Sequence, residues 1–332
     1  MGIGDESKMK EQEIIFDSDG LRLAGVLRIP EQGLAFPAVL LVHGSMEQDR
    51  DGNLLAKRDG KPAYKKNFFL EIARRLCAAG YAAFSWDRRG CGKSEGQAGD
   101  VFAQARDAIA ALHALQGQEE IDSQRIAVLG QSAGVYTACL LAQEESGPKA
   151  YILQGGLYRD YGEMMAFNYV RVARYAASSP GNLAWVEEND LCSLLIGLNL
   201  DQIKRQAKEG KREHDLVYKG RIWKFYHDPT CYLPENAPSR QFKYIDKPAL
   251  VIHGECDLNV PVQDAASIRN ELIKNGNKQV GLVIIPGADH SFQEAAGSED
   301  QRYKERMSLE SFRRPFCDAY FRALEDFLRK AL

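Results

Sequence analysis

The sequence contains no run of about 18 uncharged apolar residues, so it offers no candidate for a membrane-crossing helix. Its opening, Met1 to Lys8, lacks the basic start and apolar stretch of a secretory signal, and Ser7 stands one place too late for myristoylation. Net charge is scarce, −3 over 332 residues, which gives no support for nucleic-acid binding, a function that usually needs a basic face. The seven cysteines (Cys77, Cys91, Cys139, Cys192, Cys231, Cys256 and Cys317) are odd in number and include no C-x-x-C pair. Neither a disulfide framework nor a zinc site is expected from them. No His/Asp/Glu cluster has metal-ligand spacing, and Gly90-Cys91-Gly92-Lys93-Ser94 falls short of a phosphate loop. These absences predict a cytoplasmic protein without metal, cofactor, nucleic-acid partner or membrane insertion, and they leave its oligomeric state open.

What is present is alternation. Glu13–Phe16 and Leu21–Ile29, joined through Asp17-Ser18-Asp19-Gly20, read as a β-hairpin with Asp-Gly turn chemistry. Continuous apolar runs at 37–43, 81–86, 125–129, 150–153, 247–253 and 280–286 read as strands buried on both faces. Helical spacing fills 68–79, 103–115, 135–143 and 261–274, and 314–332 reads as a long amphipathic closing helix. The pattern predicts an α/β fold, a doubly wound and mostly parallel sheet with the hairpin antiparallel on one edge. From 156 to 242 the alternation stops and helical patterns, aromatics and breakers take over. The expected organisation is a core of 1–155 and 243–332 with a mainly helical lid, 156–242, inserted above the sheet's carboxyl end.

One turn carries chemistry. Ser132 lies in Gly130-Gln131-Ser132-Ala133-Gly134, between an apolar strand and a helix, where small neighbours allow the tight nucleophile elbow of G-x-S-x-G sites. A serine hydroxyl needs a base, and the base works best when a carboxylate orients it. His290 follows the last apolar strand, and Asp257 follows the strand before it, with Glu255 and Asp289 as rival acids nearby. The order serine, acid, histidine, each on a loop leaving a strand's carboxyl end, suits this architecture. The remaining histidines (His43, His113, His214, His227, His253) read as structural.

Five segments, Val42-His43-Gly44-Ser45, Asp87 to Ser94, the elbow, His253-Gly254 with Asp257 and Val260-Pro261, and Asp289-His290-Ser291-Phe292, occur in order between residues 42 and 292. In these the chain resembles the α/β-hydrolase superfamily, most closely its branch of esterases, monoacylglycerol lipases and serine aminopeptidase-like hydrolases. The resemblance implies Ser132, Asp257 and His290 as the triad, the spacing favouring Asp257 over its rivals. It also implies an oxyanion hole built from the backbone N–H groups of Ser45 and Ala133, with Met46 as an alternative donor.

The segment Met46 to Asn53 reads as a loop fixed by Asp–Arg pairing. The cations between Lys204 and Arg221, interleaved with acids, read as a solvated helix face. Among the lid aromatics, Tyr158, Tyr161, Trp185 and Trp223, together with Gln131, are the expected lining of a pocket for a bulky apolar or aromatic group. The expected activity is cleavage of a small-molecule carboxylic ester through an acyl-enzyme. The alternatives are a peptidase, amidase or acyl transferase on the same triad, or a ligand receptor with idle chemistry. Glu47, Asp49 or Asp51 would then be the groups to hold an aminopeptidase substrate's amino terminus.

Overall fold

A computed structural model describes residues 9–55, 57–58, 61–62, 65–308 and 310–332. In chain order the first half comprises β1 (Met9–Ser18), β2 (Leu21–Pro30), β3 (Phe36–Val42), the two-residue strands β4 (Lys57–Arg58) and β5 (Lys61–Pro62), α1 (Phe68–Ala78), β6 (Ala82–Trp86), α2 (Val101–Gln116), β7 (Ile121–Gln131), α3 (Gly134–Glu144) and β8 (Ala150–Gln154). The returning part adds β11 (Ala249–Gly254), α9 (Gln263–Lys274), β12 (Val280–Ile285), α10 (Glu299–Ser308) and α11 (Asp318–Ala331).

Eight strands form one sheet in the order β1-β2-β6-β3-β7-β8-β11-β12. The pairs from β6 to β12 are parallel, and β1 and β2 are antiparallel on one edge. The expected fold class is therefore the observed one. The β1–β2 turn is shorter than the sequence suggested: only Asp19 (φ 52°) and Gly20 (φ 76°) lie outside the ladder, both left-handed as a two-residue turn of this hand requires.

Successive residues of each central strand serve opposite faces of the sheet. Ala38, Leu40 and Val42 of β3 join Ile126 and Val128 of β7 in the layer packed under α2, α3 and α9. Val39, Leu41, Ala127 and Leu129 enter the other layer, with α1 and α11. All are buried, which is why these strands read as unbroken apolar runs. Among the described residues no helix is long and apolar enough to cross a membrane.

Between β8 and β11 lie α4 (Tyr161–Met165), a π-turn (Ala166–Val170), α5 (Arg171–Ala177), α6 (Pro180–Asn189), α7 (Leu191–Leu198), α8 (Leu200–Lys208), the strands β9 (Glu213–Tyr218) and β10 (Arg221–Tyr226), and four 3-10 turns. Two features depart from expectation. Lys204, Arg205 and Lys208 lie on α8, but Lys219 and Arg221 belong to an antiparallel hairpin turning at Lys219 (φ 48°) and Gly220 (φ 76°). His214 and Leu216 point inward while their neighbours are exposed, a period of two hidden within a charged stretch. Second, residues 314–317 are not helical; the closing helix starts at Asp318, and α10 precedes it. Tyr303 and Met307 of α10 pack with Val172, Ala176 and Val186, so this later stretch completes the core of the inserted segment.

Candidate active site

Strand β7 ends at Gln131, and Ser132 follows in the left-handed region (φ 55°), a conformation rare for a residue with a side chain and stored at functional turns. Both glycines of the motif are sterically required. A Cβ on Gly130 would lie 2.5 Å from Gly134 O, and one on Gly134 would lie 2.5 Å from the carbonyl oxygens of Val42 and His43. The Ser132 N–H donates to Gln154 O at 2.8 Å, tying the elbow to the end of β8.

Asp257 and His290 stand on the loops after β11 and β12, and His290 Nδ1 lies 2.6 Å from Asp257 Oδ2. The carboxylate is fully committed. Oδ1 accepts the N–H groups of Asn259 (2.6 Å) and Val260 (2.9 Å), and Oδ2 lies 3.0 Å from His253 Nε2 as well. Burial opposes the Asp257 charge, yet His290 and His253 hold its carboxyl well below the ordinary range. His253 is itself buried, which works against its charge, but the bond to Asp257 lifts its pKa above the usual value. It therefore supports the acid. The rival acids point elsewhere: Glu255 accepts the Gly287 N–H, and Asp289 accepts those of Ser291 and Gln293.

Ser132 and His290 line one cavity, and they flank the same backbone. Gly155, next to the Gln154 carbonyl that holds Ser132, would with a Cβ sit 3.1 Å from His290 Cε1. Among the described residues Ser132 Oγ has no hydrogen bond, so the structure joins base and acid directly and leaves the hydroxyl unengaged. Resting enzymes commonly close that last contact only around substrate.

The loop after β3, where the oxyanion hole is expected, runs beside the serine and is held by side chains. Gly44 packs against the serine, since a Cβ there would be 3.2 Å from Ser132 Cβ. Arg88 Nη1 donates to Gly44 O at 2.7 Å and to Met46 O, and Gln48 Nε2 donates to Ser45 O at 2.7 Å. A trans peptide points its N–H opposite to its C=O. Tethering the Gly44 and Ser45 carbonyls thus turns the N–H groups of Ser45 and Met46 away from those tethers. No acceptor among the described residues takes the N–H of Ser45, Met46 or Ala133. Met46 is left-handed (φ 72°). In the sequence Arg88 stood out only within the Asp87 to Ser94 segment and not as a site residue. The structure shows it bracing this loop.

His43 packs on Phe69 and Trp86, and burial pushes its pKa down to about 3, so it is neutral. The Met46–Asn53 segment is pinned as expected: Arg50 pairs with Asp87 at 2.7 Å, Asp51 with Arg28, and Asp49 caps the N–H groups of Asp51 and Asn53.

The cavity measures about 960 Å³ and lies between the sheet's carboxyl end and the inserted segment. Gln131 and Tyr161 line it, as the sequence suggested, together with Met164, Tyr169 and Ile196. Three expected lining residues are elsewhere. Tyr158 stacks on Phe242 and donates its hydroxyl to Glu271, Trp185 packs into the inserted segment's own core, and Trp223 lies 42% exposed on β10. Lys66, Arg302 and Arg306 also face this cavity, and nothing in their sequence context distinguished them. Among the described residues no group of three or more His, Cys, Asp or Glu side chains is arranged to hold a metal.

Residues 64–294, more than half the chain, match the family described as serine aminopeptidase, S33. An uncharacterized 31.7 kDa protein from the traX-finO intergenic region of Escherichia coli is 33% identical over 120 residues, 35% of each chain. The chain therefore spans well under half the length of that curated relative. Among solved structures, an esterase of Pyrococcus furiosus superposes with a TM-score of 0.58 at 16% identity, over 97% of this chain and 92% of its own. An acylaminoacyl peptidase of Pyrococcus horikoshii gives 0.55 at 17% identity, over 98% of this chain and 42% of its own. At such identities these likenesses speak to the fold alone.

Proposed function

Since the chain belongs to the serine aminopeptidase S33 family of α/β-hydrolases, we propose that it is a serine hydrolase cleaving carboxylic esters through Ser132, His290 and Asp257. The observation that carries this reading is the 2.6 Å contact of His290 with a fully committed, buried Asp257, on the cavity that also holds a left-handed Ser132. Ser132 Oγ attacks the ester carbonyl while His290 Nε2 takes its proton. Asp257 fixes Nδ1 as the donor and stabilises the imidazolium. The tetrahedral oxyanion is received by the N–H groups of Ala133 and Ser45, with Met46 N–H as the neighbouring alternative. His290 then protonates the departing alkoxide, leaving the acyl group on Ser132. Water repeats the sequence from the other side, releasing the acid and restoring the serine.

Amide cleavage is the second reading, favoured by the family's description. Against a dedicated aminopeptidase, Asp49 is spent within its own loop and Asp51 on Arg28 of β2, which leaves Glu47 alone of the three candidate anchors on the cavity. A fluorophosphonate probe is expected to label Ser132 and nothing in Ser132→Ala protein; a folded but unlabelled wild type refutes the proposal. Amide turnover of aminoacyl anilides well above that of nitrophenyl esters reverses the ranking of bonds.

A further inference from the structure

Building on that reading, we propose that the substrate carries a carboxylate at the end of its acyl chain, received in the cavity by Arg302 and Arg306 of α10 together with Lys66. All three line the cavity that holds Ser132 and His290. Each is held in place by neutral atoms. Arg302 Nη1 donates to Cys256 Sγ at 3.0 Å, Arg306 Nε donates to Asn259 Oδ1 at 2.7 Å and its Nη2 to Asn168 Oδ1, and Lys66 Nζ donates to Ser291 Oγ at 2.5 Å. Among the described residues no carboxylate comes within ion-pair distance of any of them. The contrast with other arginines is plain: Arg50 pairs with Asp87, Arg89 with Asp107, and Arg314 with Glu305.

Neutral acceptors orient a guanidinium without cancelling its charge, which is the arrangement suited to a planar anion that arrives later. Arg302 adds a second indication. Its Nε is buried and has no hydrogen-bond partner, a donor that costs stability until an acceptor reaches it. Lys66 tells a similar story: burial pushes its pKa down to about 8, and the field of Asp289 offsets this only in part.

The position of the cations sets the kind of substrate. Cys256 and Asn259, which hold the two arginines, flank Asp257, and Ser291, which holds Lys66, follows His290. The charge is therefore anchored to the same two loops that carry acid and base. A monoester of a short dicarboxylic acid fits this layout, its ester at Ser132 and its free carboxylate at the cations. The rest of the cavity supplies the apolar wall for the methylenes.

The test compares 4-nitrophenyl hydrogen adipate with 4-nitrophenyl hexanoate, which differ only in the terminal group, and extends to the pimelate and suberate homologues. The expected kcat/KM ratio, acid over neutral, is about 10 to 100 in the wild type, the gain of one or two charge-assisted hydrogen bonds. It falls toward 1 in the Arg302→Gln/Arg306→Gln double variant, recovers in part with Arg306→Lys, and declines with added salt. A wild-type ratio of 1 or less across the series overturns the proposal whether or not the variants fold. A second arm removes catalysis altogether: calorimetric titration of adipic acid monoanilide and hexananilide into Ser132→Ala protein. Binding of the acid at least tenfold tighter supports the cationic site, and equal binding refutes it. Loss of fluorophosphonate labelling with selective binding intact would instead strike at the hydrolase reading and leave this one standing.

Discussion

Replacing Asp257 with asparagine is the sharpest probe of the proposed chemistry, because the replacement is nearly isosteric and its consequence can be followed atom by atom. Oδ1 is held by the N–H groups of Asn259 and Val260, so the asparagine oxygen keeps that place. Its amide NH₂ then occupies the position of Oδ2 and faces His290 Nδ1 and His253 Nε2, both of which donate there in the wild type. His290 can accept that donor only by moving its proton to Nε2, which removes the lone pair meant for the Ser132 hydroxyl. The expected loss in kcat is about 10³ to 10⁴, or roughly 4–5.5 kcal/mol of transition-state stabilisation, with KM little changed. A stability effect accompanies it with a defined sign. The folded-state pKa of Asp257 is depressed, so its stabilisation is fully present above the ordinary value of 3.8 and disappears as the pH falls below it. The wild type should thus lead the variant in urea unfolding at pH 7, and the gap should narrow below pH 4. Steady-state hydrolysis of a nitrophenyl ester measures the first effect. If Asp257→Asn keeps more than a tenth of kcat while Asp289→Asn or Glu255→Gln abolishes it, the acid has been misassigned.

Three further outcomes follow from contacts described above. Gly134→Ala forces a Cβ to within 2.5 Å of two backbone oxygens, Val42 O and His43 O, which cannot rotate away. It should cost about 3 kcal/mol and lower Tm by roughly 4 °C; an unchanged melt rules out that close approach. Arg88→Met frees the Gly44 and Met46 carbonyls, so kcat should fall about 10- to 100-fold, and a variant of wild-type rate shows that the loop holds itself. Burial lowers the pKa of His43 to about 3 and of His227 to about 4, whereas the unfolded chain binds protons at both near 6.5. The unfolded state therefore holds more protons between those limits and stability drops as the pH falls through them, His43 alone removing about 2–3 kcal/mol by pH 4.5. Urea midpoints that stay flat from pH 7 to 4.5 contradict its neutral state.

The core and the three strand-end loops were legible because burial on both faces leaves a plain mark. A strand such as Val39 to Val42 has no polar side to show, and the functional turns begin where the apolar run breaks. The inserted segment was not legible for an equally physical reason. Its packing partners are distant in the chain: Tyr303 and Met307 of α10 close the core around Val172 and Val186. A count of aromatic residues cannot tell that Trp185 turns into that core while Trp223 faces solvent. Arg302 and Arg306 illustrate the same limit. In sequence they belong to one more charged helix, and only the three-dimensional arrangement reveals that their partners are a thiol and two amides. The hairpin at 213–226 was hidden because its inward period of two ran beneath a dense alternation of charges.

The elbow is bonded to Gln154 O, and the side chain of that same Gln154 accepts the buried hydroxyl of Tyr320 at 2.6 Å, a residue of the closing helix. A polypeptide emerging from the ribosome makes the serine turn long before it makes its prop. Until residue 320 is synthesised and folded home, the growing chain lacks that support, and the histidine and its acid come only shortly before. The support behind the serine turn is thus among the last parts of the fold to be delivered.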